Sequence, residues 1–432
     1  MSISMTGPAS RARQRKGVKE REVRVALIGI GGYGSQYVSA LLDGAARHGV
    51  RWTAAVDPAP GSCRRMDELR TRQLPVFAEV DELFLQQQAE LVIVCSPIHL
   101  HCAHTVASLQ HGAHVLCEKP LCVTMEQAAQ MIQARDAAAR EVALGYQWSF
   151  CPAVQQLKRD ILDGVFGRPR RLKAMVLWPR DERYYRRNNW AGRQYGEQGE
   201  PIFDSPVSNA CAHYLHNMLY VLGERTHLSA SAASVTAELY RAHKIENFDT
   251  AALRLQTGSG VPVLFIVSHV TRHARGPAFV YEFERAVVEF DDQKQGQIVA
   301  RFNDGSVRMY GVPASSTDIS KLWQTVEAVR TGERTVCGIE AAVSQTQVVC
   351  AAQQSMPQIV PFPSALVQVS GDAGSRRTSV SGLEDVLVRC YEQFALPSEL
   401  GVTWSAPGRE VQAAASAPAQ PPRGKLAVAS AR

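Results

Sequence analysis

The sequence predicts an α/β protein: an N-terminal domain built on a parallel sheet, then a second α/β domain whose sheet is antiparallel or mixed. Three observations carry that prediction. An apolar run, Val25-Ala26-Leu27-Ile28, stops at Gly29-Ile30-Gly31-Gly32-Tyr33-Gly34 and gives way to a helical stretch. Strand-like and helix-like segments then alternate to about residue 150, as parallel strands joined by helical crossovers require. After Pro152 the character changes, and between about 228 and 311 short strands are joined by turn residues, which favours antiparallel neighbours. A chain of 432 residues suits two domains better than one core.

The first element carries the most information. An apolar strand, a Gly-x-Gly-x-x-Gly turn and a helix form the local order by which a Rossmann fold receives a dinucleotide. Gly29 makes the tight turn, Gly31 leaves room for the pyrophosphate, and Gly34 lets helix and strand pack closely. With Ile30, Gly32 and Tyr33, these residues would set the phosphates over free N–H groups at the positive end of the helix. A second apolar run, Trp52 to Val56, ends in Asp57, placed to accept from a ribose 2′-hydroxyl. A plain strand-turn-helix corner leaves Asp57 unexplained.

Further strands are predicted near 51–56, 91–96, 114–118 and 141–147, with helices near 33–47, 63–72, 79–88, 101–111 and 124–139. The last helix opens with a capping box, Thr124-Met125-Glu126-Gln127. The dinucleotide-binding domain is thus expected over 23–150, behind a disordered basic tail, 1–22. In the second domain, 151–357, a helix near 153–163 precedes a strand in which Leu172, Ala174, Val176 and Trp178 alternate, one face toward a core. Residues 180–205 are polar, aromatic and irregular, a helix follows near 207–222, and two more lie near 317–331 and 338–354. A C-terminal extension, 358–404, leads into a flexible Ala-, Pro- and Ser-rich tail, 405–432.

The formal charge of +6 sits at the ends. Residues 11–24 carry a net +5 and residues 405–432 a net +3, which leaves a near-neutral body of −2. The basic balance therefore argues for no nucleic-acid partner. Ten cysteines are scattered without a C-x-x-C pair, several inside apolar runs, as expected of buried thiols in a reducing compartment. No export signal and no bilayer-spanning run is visible, so a cytoplasmic protein without a membrane partner is expected.

The segment Val115-Leu116-Cys117-Glu118-Lys119-Pro120 is an apolar strand ending in a charged pair. Ligands of an open parallel sheet bind at the carboxyl ends of its strands, so Lys119 would lie beside a nicotinamide. A cationic ring and partial burial would lower its pKa, enabling it to take a proton from an alcohol as hydride leaves the same carbon.

The glycine turn, with Cys95-Ser96-Pro97-Ile98-His99-Leu100-His101 and Gly112-Ala113-His114-Val115-Leu116-Cys117-Glu118-Lys119-Pro120-Leu121, closely resembles the Gfo/Idh/MocA oxidoreductase family over about residues 23–355. The resemblance implies an NAD(P)-binding Rossmann domain and a C-terminal α/β domain with an open, mostly antiparallel sheet. That sheet often forms a homo-oligomer contact. It implies action on sugars, inositols and related polyols, with Lys119 as catalytic lysine and Ser96, Pro97, His101, Glu118, Lys119 and Gln147 at the cofactor. Asn209-Ala210-Cys211-Ala212-His213 matches the family's Asp-x-x-x-His, with an amide in place of the acid. The i, i+4 spacing puts Asn209 and His213 on one helix face. His213 would bind substrate or assist Lys119, Asn209 would orient a hydroxyl, and Asp204 reads as the helix cap. Ile98 stands where the family often has a polar residue. No metal is expected at His99, His101 and His104, which lack a matching distant ligand set.

From Trp178 to Arg193 the chain is dense in aromatic and guanidinium groups, and Arg180, Tyr185 and Trp190 are its best substrate candidates. Asp57 favours NAD over NADP, with Arg64 and Arg65 close enough in sequence to soften the preference. Two other readings stay open: a non-catalytic NAD(P)-binding sugar sensor, and NAD-retaining elimination or glycoside cleavage without net redox change.

Overall fold

The computed structural model describes residues 21–413 apart from 295 and 316; the rest of the expected tails lies outside the described residues. Strands β1 (Val23–Ile28), β2 (Val50–Val56), β3 (Val76–Phe77), β4 (Leu91–Val94), β5 (His114–Cys117) and β6 (Val142–Leu144) form a parallel sheet in the order β3-β2-β1-β4-β5-β6. Helices α1 (Gly34–Gly44), α2 (Met66–Thr71), α3 (Val80–Gln86), α4 (His101–Gln110) and α5 (Met125–Ala138) make the crossovers. All four residues of β4 are buried, so both faces of the sheet are covered, as in doubly wound folds. Strand order reverses between β1 and β4, and open α/β sheets bind ligands in the crevice at the carboxyl ends of such a switch point. The two-residue β3 is too short to show a periodicity in sequence.

At this crevice Gly29 adopts φ 87°, a conformation open to glycine. A Cβ on Gly34 would lie 2.1 Å from the Gly29 carbonyl oxygen, so α1 can start against the turn only without one. Gly34→Ala is expected to push α1 off β1 and cost about 1–3 kcal/mol, read as a lower melting midpoint with weaker dinucleotide binding.

The second domain contains α6 (Pro152–Leu162), β7 (Pro169–Leu177), α7 (Glu182–Arg186), α8 (Ala212–Val221), β8 (Ala232–Arg241), β9 (Thr250–Thr257), β10 (Pro262–Ser268), β11 (Arg275–Phe283), β12 (Ala286–Asp291), β13 (Ile298–Phe302), β14 (Val307–Gly311), α9 (Ser320–Thr331) and α10 (Ile339–Ser355). The extension adds β15 (Val360–Pro361), the hairpin β16 (Val367–Ser370) and β17 (Arg377–Val380), α11 (Leu383–Gln393) and β18 (Val411–Gln412). The large sheet runs β14-β13-β12-β11-β7-β10-β9-β8-β15, with β18 also on β8. It is mixed and mostly antiparallel: β10 on β7 and β15 on β8 are its parallel pairs.

Three expectations need correction. The strand β7 was expected to bury one face, yet Leu172, Ala174 and Val176 enter the main core while Met175 and Leu177 enter a second one. That second core is closed by Phe362, Val380, Leu383, Leu387 and Leu396 of the extension. The extension therefore lies over the β7–β10 part of the sheet's outer face. Residues 405–413, expected as the start of a flexible tail, are held against the domain: β18 pairs with β8, and the Arg409 N–H donates to Ser355 O at 3.1 Å. Finally, the helix expected over 207–222 is broken. A π-helical turn, Pro206–Ala210, precedes α8, with Cys211 between them, so Asn209 and His213 do not share one continuous helix.

Candidate active site

The cofactor side of the crevice is built by the turn at Gly29, Ile30, Gly31, Gly32, Tyr33 and Gly34. The Asp57 carboxylate, at the end of β2, accepts from the Ile30 N–H at 3.0 Å and the Ala59 N–H at 2.8 Å. It thereby braces the glycine turn from the position where a ribose would lie. The N–H groups of Gly31 and Gly32 donate to no backbone carbonyl among the described residues. Such free donors, at the start of α1 and beside a fixed carboxylate, fit a pyrophosphate and ribose. Arg65, a residue that might have met a 2′-phosphate, is instead held by Asp43 at 2.8 Å and by Glu68 at 2.6 Å.

Ser96 and Pro97 follow β4. His101 is 1% exposed, with Nδ1 2.7 Å from Pro120 O and Nε2 3.0 Å from Ser96 O. It ties the Ser96-Pro97 turn to the Lys119-Pro120 peptide, and burial holds its imidazole below the usual range. A neutral ring has one N–H, so only one of these contacts carries a proton. Gln147 donates from Nε2 to Ser315 O at 2.7 Å, joining the two domains behind the crevice.

Glu118 is buried at the end of β5, where Tyr37 donates its hydroxyl at 2.6 Å and Lys321 of α9 forms a close ion pair. Burial pushes the Glu118 carboxyl up, but the Lys321 ammonium outweighs it and holds the group below the usual carboxylate range. Lys321 also donates to the Tyr33 hydroxyl at 3.2 Å and to Gly145 O at 3.2 Å. The pair thus links the glycine turn, the strand end beneath Lys119 and the second domain.

Lys119 projects toward the second domain. Its Nζ donates to both the backbone O and the side-chain Oδ1 of Asn209, each at 2.9 Å. Asn209 Nδ2 donates in turn to Asp204 Oδ1 at 2.9 Å. Asp204 was expected to cap the helix; Ser205 does so instead, in a capping box with Ser208. Asp204, 2% exposed, accepts from the Gly192 N–H at 2.7 Å and faces Arg187 at 3.7 Å. A carboxylate is therefore present in the network, one amide removed from the lysine. Burial pulls the Lys119 pKa below that of a solvated lysine, with Glu118 opposing the shift. His213 stands edge-on to Tyr146 at 5.8 Å, its Nδ1 buried without a partner among the described residues. Burial, then the charges of Lys119 and Lys321, holds its imidazole well below the usual range.

Of the loop candidates, Tyr185 places its hydroxyl 2.9 Å from His269 Nδ1, with its ring 4.7 Å from that of His243. Arg180 lies 5.5 Å from the Trp178 ring and 5.0 Å from the Tyr184 ring, its Nε buried and unpartnered among the described residues. Trp190 packs against Arg187 at 5.3 Å. Sequence reasoning missed Arg187, Tyr37 and Lys321. The aromatic run around Arg187 was visible, whereas Tyr37 and Lys321 carry no local signal.

Fold and site define a two-domain protein in which a dinucleotide cradle faces a lysine held by the second domain. Residues 23–146 match the oxidoreductase family with an NAD-binding Rossmann fold, and residues 154–289 match the Gfo/Idh/MocA C-terminal domain; the chain belongs to this family. Among curated proteins it is 26% identical over 208 residues to the D-glucoside 3-dehydrogenase of Escherichia coli K12, 46% of this chain and 54% of that one. It is 32% identical over 148 residues to inositol 2-dehydrogenase 1 of Saccharopolyspora erythraea, 34% of this chain and 43% of that one. The chain thus spans about half the length of these relatives. The WlbA dehydrogenase of Bordetella pertussis, solved with NADH and UDP-GlcNAcA, shares the fold: TM-score 0.63, 19% identity, 79% of this chain and 97% of that one. Among the described residues, no helix is long and apolar enough to cross a membrane.

Proposed function

We propose that this protein is an NAD-dependent dehydrogenase that oxidises or reduces a CH–OH group of a sugar, inositol or related polyol, with Lys119 as acid/base. The observation that carries the reading is the pair of 2.9 Å contacts from Lys119 Nζ to Asn209. A neutral amine has two hydrogens and one lone pair. Asn209 takes up the hydrogens, and the lone pair is left to receive a hydroxyl proton. Bound NAD supplies the acceptor for the hydride leaving the same carbon. Lys119 holds the proton, Asn209 and Asp204 fix the amine's direction, and His213 serves as a neutral hydrogen-bonding partner for a second hydroxyl. Arg180, Tyr185 and Trp190 form the substrate wall, aromatic faces and guanidinium groups being suited to a polyol. The names of the two curated relatives support the same substrate class.

The test is a panel of glucosides, inositols and sugar acids with NAD, followed by absorbance of the reduced cofactor. Net NADH formation would support the dehydrogenase over a sensor or a cofactor-retaining lyase, neither of which yields it. Specificity for NAD is expected from Asp57, whose charge repels a 2′-phosphate. In Asp57→Ala the braced turn loosens for both cofactors, so the informative readout is the ratio of their dissociation constants. NAD should weaken by about 10–100-fold through loss of a charged hydrogen bond, and NADP distinctly less. Equal losses would rule out the ribose contact.

A further inference from the structure

The extension does more than cover the sheet, because its hairpin reaches the rim of the substrate wall. At the hairpin's end, Arg376 O accepts from the Glu182 N–H at 2.9 Å, Gly374 O accepts from Arg183 Nε at 3.2 Å, and Arg377 bridges Asp181. These three contacts hold the first turn of α7, which carries Tyr184 and Tyr185. At the base of the hairpin, the Val380 N–H donates to Val270 O at 2.9 Å. That bond fixes the segment that carries His269. Further along, Glu384 at the start of α11 pairs with Arg275 at 2.8 Å and faces His273 at 3.3 Å. The contact between Tyr185 and His269 therefore joins two segments, each separately tied to the hairpin.

We propose that β16 and β17 are a positioning clamp for substrate: they set α7 and the 268–273 segment so that Tyr185, Arg180 and His269 form one wall opposite Lys119. The clamp stands on rigid ground. Leu383 and Leu387 of α11 pack into the second core against the outer face of the sheet, and Arg254 holds Glu399 through two bonds of 2.8 and 2.6 Å. The hairpin's contacts described above run to α7 and to the 268–273 segment, so the clamp acts on substrate affinity and leaves cofactor binding and the proton transfer alone. This role rests on the dehydrogenase reading, but the placement of the loop can be measured without any substrate.

The experiment replaces Gly371–Arg376 by a two-residue Asn-Gly turn, and in parallel makes Arg183→Ala, a milder change at an exposed side chain. Hydrogen–deuterium exchange is followed in peptides covering 181–187 and 268–273, with NAD titration and steady-state kinetics on whichever panel compound the unaltered protein turns over. The shortened hairpin should speed exchange at 181–187 by about tenfold or more and raise substrate KM by a similar factor, with kcat and NAD affinity within about twofold. Arg183→Ala should move exchange and KM the same way by a smaller factor. Unchanged exchange in both variants would overturn the clamp, as would faster exchange accompanied by a fall in kcat or NAD affinity at constant KM. Should the shortened variant fail to fold, Arg183→Ala decides on its own. Absence of turnover by the unaltered protein would count against the dehydrogenase reading alone, and the exchange data would still decide whether the hairpin holds the loop.

Discussion

Lys119→Met is expected to reduce kcat by about 10²–10⁴-fold, the range for losing a positioned acid/base group, while NAD affinity stays within a few-fold. Methionine fills a similar volume and cannot hold a proton, so the change isolates proton transfer from packing. The pH dependence gives the sharper check. Oxidation requires the neutral amine, so kcat/KM should rise with pH up to the Lys119 pKa and level off above it. Burial lowers that pKa relative to a solvated lysine, so the plateau should begin below the ordinary lysine range. Reduction requires the ammonium and should show the opposite limb. His213 cannot supply either limb, since burial and two neighbouring ammonium groups hold its imidazole well below its usual range. In the methionine variant the limb should vanish. A variant that kept both its rate and its pH limb would remove Lys119 from the mechanism.

How far the site could be read in advance depended on whether its physics is local. The glycine turn is a strand, a tight turn and a helix start within a dozen residues, and Lys119 ends an apolar strand at the edge where such sheets bind ligands. Both are contiguous patterns. Asn209 was also placed from its motif, but its surroundings were not. Asp204 resembles a cap because acids near helix starts commonly are, yet Ser205 caps the turn and Asp204 is directed to Asn209 and Gly192 by the course of residues 188–204. The break at Cys211, which turns Asn209 O as well as Oδ1 toward Lys119, depends on a π-helical turn that no 3.6-residue periodicity announces. The extension offered one sign: Leu383, Leu387 and Cys390 recur at helical spacing along a single face and all three are buried in the second core. What they pack against, alternate residues of β7 and β10, is known only once the sheet is assembled.

The pair between Lys321 and Glu118 spans 203 residues of sequence, and its removal is the second large effect expected. Lys321 is 0% exposed and Glu118 is 6% exposed. Lys321→Met would leave a buried carboxylate with the Tyr37 hydroxyl and the Lys119 backbone N–H as donors and no ammonium in contact. Breaking such a pair from one side costs about 3–5 kcal/mol, because the stranded charge keeps its desolvation penalty. A melting midpoint lower by on the order of 10 °C is expected for a protein of this size. Adding Glu118→Gln should recover part of the loss, since the remaining groups are then neutral. The two changes would not be additive, which a double-mutant cycle would read directly. The pH dependence changes sign as well. In the unaltered protein, the Glu118 pKa is lower folded than unfolded, so its contribution is present above the ordinary glutamate pKa of about 4.3 and is lost as pH falls through the folded value. Without Lys321, burial dominates and the folded pKa rises above the unfolded one. The carboxylate then opposes folding at neutral pH, and protonation in acid relieves it. The gap in melting midpoint between the two proteins should therefore narrow as pH falls from 7 towards 4, where the variant's raised carboxyl takes up its proton, and further below about 4, where the unaltered protein loses its own contribution. Because Lys321 also holds the Tyr33 hydroxyl at the glycine turn, NAD affinity should fall with stability. A gap that stays constant from pH 7 to pH 4 would mean that Glu118 does not depend on Lys321 for its charge.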